Sequence, residues 1–164
     1  MAERTALVLG GGGITGIGWE IGVVAGLAGA GVDLTGADLV VGTSAGSVVG
    51  AQVTGGADLA AMYERQLQPP GPAESVARMT RANLARYGMA LLRSGGREVE
   101  FRRRVGALAL AAERAGLTPS EQERLDVIGA RLVPADWPDR PLVVTAVDAL
   151  TGNFTPFTRD SGVP

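Results

Sequence analysis

The chain has 164 residues, 15 basic and 17 acidic side chains, a formal net charge of −2, and neither cysteine nor histidine. This length suits one domain with a substantial core and is too short for two ordinary domains, and the slightly acidic balance argues against a nucleic-acid-binding protein. The two missing residue types exclude disulfide bonds, zinc sites built on cysteine or histidine, and a Ser-His-Asp catalytic triad within these residues.

The first predicted element is a strand over residues 5–9, with the sequence T-A-L-V-L. Its short apolar run is typical of a strand buried on both faces of a parallel sheet. Four glycines follow, Gly10 to Gly13, and a helix is predicted from about Ile14 to Ala30. The apolar residues of this helix predict that it is buried against the sheet; they are Ile17, Trp19, Ile21, Val23, Val24 and Leu27.

The glycine loop after the first strand has three possible roles. Gly11, Gly13 and Gly16 satisfy the G-x-G-x-x-G spacing of a dinucleotide-binding turn. That turn also needs an acidic residue at the end of the second strand, whereas Asp33 and Asp38 precede the second strand. An oxyanion hole needs only backbone N–H groups beside a nucleophile, which glycines leave uncovered. We therefore favour an oxyanion hole over a nucleotide-binding turn or a purely structural turn.

The second predicted strand ends in a G-x-S-x-G motif. Its apolar residues 39–41 are followed by Gly42, Ser44 and Gly46. The two glycines let a strand and the following helix approach closely around a strained turn, which exposes the serine hydroxyl above the sheet. The first turn of that helix, from Ala45, directs free N–H groups toward the serine. The pattern predicts Ser44 as a nucleophile, and a helix-capping hydroxyl without chemistry is the alternative.

The two segments G-G-G-I-T-G, at 11–16, and G-T-S-A-G, at 42–46, resemble the patatin-like phospholipases. These are lipid acyl hydrolases with an α/β fold and a Ser-Asp dyad that needs no histidine. The resemblance covers the first 55 residues and, more loosely, residues 142–164. It implies Ser44 as the catalytic nucleophile. It also implies an oxyanion hole from the backbone of Gly11, Gly12 and Gly13, chiefly the latter two, with Gly16, Gly42 and Gly46 as the other motif glycines.

The chain departs from this family at two points. Thr15 stands where the family usually carries arginine or lysine within the glycine motif. The family's catalytic aspartate stands in a later D-G-G or D-G-A motif, and the closest match here is Asp160-Ser161-Gly162. We therefore expect the catalytic aspartate beyond residue 164, in a patatin-like domain that is incomplete because it is truncated or processed. A catalytically inactive fragment is the alternative.

A helical insertion is predicted at about 69–131, within a single domain spanning residues 1–164. Asp58 is predicted to cap a short helix before the insertion, and the proline-rich stretch at 69–72 to end that helix. From Ala73 to about Ala130 the pattern is helical.

Two local signals divide this helical region. Ser94, Gly95 and Gly96 break it once. Thr118 and Glu121 form a T-x-x-E pattern that predicts a capping box at the start of another helix.

Arginine is concentrated in the same part of the chain. Residues 60–131 contain 12 arginines and 8 acidic residues, a net charge of +4. A basic helical segment beside a lipid hydrolase site could form a cap that meets an anionic membrane surface. We favour the alternative, a solvated helix face with ion pairs at i,i+4 spacing, because Glu98 precedes Arg102 and Glu100 precedes Arg104 at that spacing.

The last predicted elements are a strand from Leu142 to Val147 and a partner strand from Phe154 to Thr158. Asp148 begins the turn between them. It lies at a strand end, where active-site residues collect, and is a second candidate for the catalytic base. Aspartate is also a common turn former, and we favour that role.

The sequence thus predicts an α/β fold with a mainly parallel sheet, helices on both faces and an active site at the carboxyl edge. The predicted activity is hydrolysis of carboxylic esters of lipids or phospholipids through an acyl-enzyme, without a metal or organic cofactor. The N-terminus lacks the features of a signal peptide and no 18-residue apolar run free of charge and glycine occurs. We therefore predict a cytoplasmic protein with, at most, peripheral membrane contact; oligomeric state does not follow from the sequence.

Overall fold

The computed structural model describes residues 4–69, 80–132 and 136–163. These residues form four strands, β1 (Ala6–Leu9), β2 (Leu39–Thr43), β3 (Leu142–Val147) and β4 (Phe154–Phe157). The strands lie in one sheet in the order β1-β2-β3-β4, and β1, β2 and β3 are parallel. The predicted α/β fold with a mainly parallel sheet is confirmed at this level.

Six α-helices lie in the described residues: α1 (Gly13–Gly29), α2 (Ala45–Thr54), α3 (Leu59–Gln66), α4 (Arg81–Ser94), α5 (Glu98–Arg114) and α6 (Glu121–Gly129). A short 3₁₀ helix covers Arg159–Ser161. Within the described ranges, none of the helices combines the length and the apolar character that crossing a bilayer requires.

The chain divides into two compact units. The first comprises residues 1–74, 125–145 and 156–164, and the second comprises residues 75–124 and 146–155. α3 ends at Gln66, before the predicted stop at 69–72, of which only Pro69 is described; the predicted helical start at Ala73 also lies outside the described residues. One domain with an insertion at 69–131 therefore stays a prediction.

The core of the first unit lies on one face of the sheet. Side chains alternate along a strand, and the register places Leu7, Val40 and Leu142 side by side on that face, with Leu9 two residues along. Val40 is fully buried. These strands pack against apolar side chains of the first three helices, namely Ile17, Ile21, Ala45, Val49, Val53 and Met62. The same contacts hold α1 and α2 next to each other at the sheet.

Both β1 and α1 are less buried than their sequences predict. Val8, on the opposite face of β1, is 72% exposed, so within the described structure β1 is buried on one face only. In α1, Ile17, Ile21 and Val24 are buried at helical spacing, whereas Trp19 is 69% exposed. The expected burial of α1 is therefore confirmed for one stripe and wrong for Trp19, Val23 and Leu27, because a single stripe of α1 faces the core. Helices on both faces of the sheet stay a prediction.

The starts of two helices test the predicted caps. The Asp58 carboxylate accepts hydrogen bonds from the N–H groups of Ala60 and Ala61, which confirms it as the cap of α3. The box predicted at Thr118 and Glu121 is wrong, because the reciprocal bonds join Ser120 and Glu123. Ser120 Oγ accepts from the Glu123 N–H at 3.2 Å, and the Glu123 carboxylate accepts from the Ser120 N–H at 2.8 Å.

Ion pairs on α5, in the second unit, follow the predicted spacing. Glu98 pairs with Arg102, and Glu100 pairs with Arg104 at 2.6 Å and also with Arg103 at 2.9 Å. Hydrogen bonding from Arg103 holds the pKa of the Glu100 carboxyl below its usual range. α4 ends at Ser94, and the next residue, Gly95, has a left-handed backbone with φ 60°, which confirms the predicted Ser-Gly-Gly break. The predicted ion pairs are thus confirmed, but the side chains of Glu100 and Arg102 are only 19% and 23% exposed, so the solvated face stays a prediction.

A matched pair of glycine substitutions tests the packing of α2 on β1. A Cβ added at Gly46 would lie 2.5 Å from the carbonyl carbon of Leu9, whereas one added at Gly26, inside α1, meets nothing within 4 Å. We expect Gly46→Ala to destabilise the protein by about 3 kcal/mol or more through overpacking. Gly26→Ala should stabilise it by about 0.5–1 kcal/mol, because alanine is the better helix former.

Urea unfolding followed by circular dichroism measures both variants. A Gly46→Ala protein as stable as the wild type would contradict the close approach of α2 to the end of β1.

Candidate active site

Ser44 occupies the turn between β2 and α2 in an unusual backbone conformation. Its φ is 54° and its ψ is −109°, and it is the only non-glycine residue of the described chain with a positive φ. Residues held in such sparsely populated regions cost about 1–3 kcal/mol and persist where the surrounding structure forces them. Ser44 is exposed, so the turn presents its hydroxyl to solvent.

The glycines on either side explain why the turn is so sharp. A Cβ on Gly42 would lie 2.6 Å from the carbonyl carbon of Gly46 and 2.7 Å from the Cα of Ser47. Real Cβ atoms do not approach backbone atoms this closely, so only glycine fits at position 42. The Gly46 N–H donates to the Gly10 carbonyl at 2.8 Å and ties the turn to the end of β1. This strand–turn–helix geometry is that of a nucleophile elbow.

The glycine loop lies directly beside this turn. The Cβ position of Gly11 is 3.8 Å from the Cβ of Ser44, and that of Gly16 is 3.1 Å from the Cβ of Ala45. Gly12 caps α1 and contacts Gly16, while Gly13 has φ 59°, a conformation that glycine adopts without strain. All seven predicted site residues thus lie at the carboxyl ends of β1 and β2, and the serine and the loop are brought together.

Several backbone N–H groups beside the serine have no acceptor within the described chain. They belong to Gly11, Gly12, Gly13 and Ala45, of which the last two open α1 and α2. The first N–H groups of a helix have no partner within the helix and carry partial positive charge. Gly11, Gly12 and Gly13 are also exposed. Uncovered donors beside an exposed hydroxyl are what a developing oxyanion requires.

The capping alternative for Ser44 is not supported. Ser44 lies at the N-cap position of α2, yet its side chain accepts no hydrogen bond from the N–H groups of that helix. By contrast, the cap residues Asp58 and Thr80 do accept such bonds. Ser44 therefore occupies a capping position without capping the helix, and its oxygen is left for another partner.

The dinucleotide interpretation gains no acidic partner from the structure. The Asp38 carboxylate accepts from the Thr5 N–H at 2.8 Å, and the Asp33 carboxylate accepts from the Thr35 N–H at 2.8 Å. Both acids lie before β2, at the end opposite to Ser44. Among the described residues, no group of three or more acidic side chains comes together to hold a metal ion.

Asp148 serves the turn between β3 and β4. Its Oδ1 accepts from the N–H groups of Leu150 and Thr151, at 2.9 and 2.7 Å, and from the Thr151 hydroxyl at 2.9 Å. These bonds, led by that from the Thr151 N–H, hold the pKa of the Asp148 carboxyl below its usual range. A carboxylate with a lowered pKa is a poor proton acceptor, which supports the favoured turn-forming role.

One charged residue near the loop, Glu20, is not predicted as a site residue from the sequence. Glu20 is the only charged side chain of α1 and is 4% exposed. Burial raises the pKa of its carboxyl group, and the nearby Gly10 N–H offsets part of that rise. A signal for it exists in the sequence, since one acid stands alone in an otherwise apolar and glycine-rich helix.

A cavity of about 370 Å³ in the first unit shares the helix ends that form the site. Ile14 and Ile17, on the first turns of α1, and Val48, one turn beyond Ser44 in α2, form part of its wall. Arg65 and Gln52 contribute polar groups to the same cavity.

Comparisons of the chain with protein-family models, with curated proteins and with solved structures find no match. The resemblance to the patatin-like phospholipases therefore stays a prediction that rests on the two glycine motifs.

The backbone strain at Ser44 is testable without an assay of activity. Glycine adopts a positive φ freely, whereas alanine keeps the strain of serine at this position. We expect Ser44→Gly to be more stable than Ser44→Ala by about 1 kcal/mol, as judged by urea unfolding. Equal stability of the two variants would show that position 44 is unstrained.

The Asp148 turn predicts a specific pH dependence of stability. A group whose folded pKa is lowered stabilises the fold above its unfolded pKa, and that contribution is lost as the pH falls through the folded pKa. We therefore expect Asp148→Asn to be less stable than wild type at pH 7, with the gap closing below about pH 4. Thermal unfolding between pH 7 and pH 2.5 measures the gap.

Asp160→Asn removes the same charge from a group outside this turn and serves as the control. A gap for Asp148→Asn that is constant with pH would contradict the prediction.

Proposed function

We propose that the chain is part of a patatin-like serine hydrolase that cleaves carboxylic esters of lipids or phospholipids. The observation that carries this proposal is the conformation of Ser44, the one non-glycine residue of the described chain with a positive φ. Its exposed hydroxyl adjoins a loop whose N–H groups are uncovered. Strain that places a serine beside such donors is typical of a nucleophile in acyl transfer.

In the proposed reaction the Ser44 Oγ attacks the ester carbonyl carbon, and its proton passes to an aspartate that the resemblance puts after residue 164. The carbonyl oxygen becomes an oxyanion, which the N–H groups of Gly12 and Gly13 receive. Collapse of the tetrahedral intermediate expels the alcohol, which takes the proton from the aspartic acid, and leaves the acyl group on Ser44. Water then releases the carboxylic acid and restores the serine.

One feature supports a substrate with an apolar part. The cavity wall formed by Ile14, Ile17 and Val48 offers apolar surface within one helical turn of the site. Thr15 brings no cation into the glycine motif. In this proposal the loop therefore stabilises the oxyanion through backbone N–H groups alone. The proposed protein acts in the cytoplasm at the periphery of a lipid surface.

The experiment that tests this proposal compares Ser44→Ala with Ser47→Ala. Ser47 lies in the first turn of α2 and serves as the control. Both variants are prepared in a polypeptide that includes the proposed aspartate, because the proposed reaction needs that base. We expect Ser44→Ala to lower hydrolysis of short-chain nitrophenyl esters by at least roughly 10³-fold, because the nucleophile is lost. The Ser47 hydroxyl is buried and has no hydrogen-bond partner among the residues that the structure describes, so Ser47→Ala should keep nearly full activity.

A fluorophosphonate probe provides the second readout. It should label the wild type and Ser47→Ala at Ser44, as identified by peptide mass spectrometry, and leave Ser44→Ala unlabelled. Full ester turnover by Ser44→Ala, or a folded wild type that the probe leaves unlabelled, would contradict the nucleophile assignment.

A further inference from the structure

Glu20 is a buried acid for which the proposed reaction has no use. It is the only charged side chain that is buried in the described residues, and its neighbours Ile17, Ile21 and Val24 on the same stripe of α1 are apolar. Its Oε2 finds no hydrogen-bond partner within the described chain. Burying a carboxyl group among apolar side chains costs free energy unless a specific interaction offsets the cost. Its one polar contact therefore points to its role.

That contact is with Gly10, the first residue of the glycine loop. The Cβ position of Gly10 lies 4.0 Å from Glu20 Oε1, and the nearby Gly10 N–H lowers the pKa of the carboxyl group, so the carboxyl group lies beside Gly10. The carbonyl of the same residue accepts from the Gly46 N–H at 2.8 Å. Gly10 is thus held from both sides, by α1 through Glu20 and by the start of α2 through Gly46.

We propose that Glu20 is a positioning residue, which fixes Gly10 and through it holds the N–H groups of Gly11, Gly12 and Gly13 beside Ser44. Its effect on the reaction rate rests on the proposed function, whereas its effect on the loop does not. Glu20 touches neither the serine nor a substrate and acts through Gly10 alone.

The loop needs such an anchor because of its composition. Glycine has the greatest conformational freedom of all residues, and four glycines in succession lose much entropy when they are held in one conformation. Donors stabilise an oxyanion efficiently only when they are held in place before the reaction. Gly11, Gly12 and Gly13 are exposed and make no hydrogen bonds through their own N–H groups in the described chain. The Gly12 carbonyl accepts from the Gly16 N–H at 2.9 Å, which holds the end of the loop at α1, and Glu20 lies beside Gly10 at the other end.

Two substitutions of Glu20 and one control separate positioning from a general contribution to the core. Glu20→Gln keeps a polar acceptor oxygen beside the Gly10 N–H, whereas Glu20→Leu keeps the volume and removes the acceptor. Val24→Ala is the control, because Val24 is buried one turn further along α1 and its loss destabilises the core. Thermal unfolding of all three gives the stability against which the other readouts are judged.

The first readout is hydrogen exchange of the Gly46 N–H, resolved by NMR. If Glu20 holds Gly10, Glu20→Leu should speed this exchange by about ten-fold while Glu20→Gln and Val24→Ala leave it near the wild-type rate. Wild-type exchange in Glu20→Leu, or equal acceleration in Val24→Ala, would overturn the proposal. This readout needs no catalytic activity, so it decides the role of Glu20 even if the hydrolase proposal fails.

The second readout is ester hydrolysis in the polypeptide used for the Ser44 variants. We expect Glu20→Leu to lower kcat about ten-fold with KM unchanged, a smaller loss than the roughly 10² to 10³ for a missing oxyanion donor. Glu20→Gln should restore most of kcat. A kcat for Glu20→Gln as low as that for Glu20→Leu would overturn positioning through the acceptor oxygen, whereas an unlabelled Ser44 in the wild type contradicts only the hydrolase proposal.

Discussion

The close approach of the first turn of α2 to the ends of β1 and β2 determines the shape of this site. Gly46 packs on the backbone of Leu9, and Gly42 packs on Gly46, with no room for a side chain at either position. Ser44, between these contacts, is forced to a positive φ. The free-energy cost of that strain is about 1–3 kcal/mol. It is offset by the rest of α2, where Val49 and Val53 are buried in the core.

Signals that lie within a few residues of each other were sufficient to predict much of the fold. The apolar runs at β1, β2 and β3 and the glycines at the elbow are local patterns, and the parallel sheet follows from them. The burial of α1 was not predictable in the same way, because Trp19 and Val23 are as apolar as Ile17 and Ile21. Which stripe faces the core depends on the position of α1 on the sheet, which no local pattern encodes.

Two other differences have the same physical origin. Residues 118–123 contain two overlapping capping patterns, and the one that forms depends on where the first turn of α6 begins. For the site itself, the burial of Glu20 could not be predicted from the sequence. A glutamate in a helix is ordinarily solvated, and only the approach of α1 to the end of β1 buries this one beside Gly10. The motif glycines could be found from sequence because each occupies a position that excludes a side chain.

The proposed reaction uses no histidine and therefore requires more of this geometry. A carboxylate is a weaker base than imidazole, so proton removal from a serine hydroxyl is harder and stabilisation of the oxyanion has to supply more of the rate. The described acids near strand ends do not relieve this demand. The pKa of Asp148 is lowered by its turn, which weakens it as a base, and Glu20, whose pKa is raised, lies beside Gly10 and makes no hydrogen bond to Ser44 in the described chain. Precise placement of the loop N–H groups is therefore the property on which acyl transfer at Ser44 would depend most.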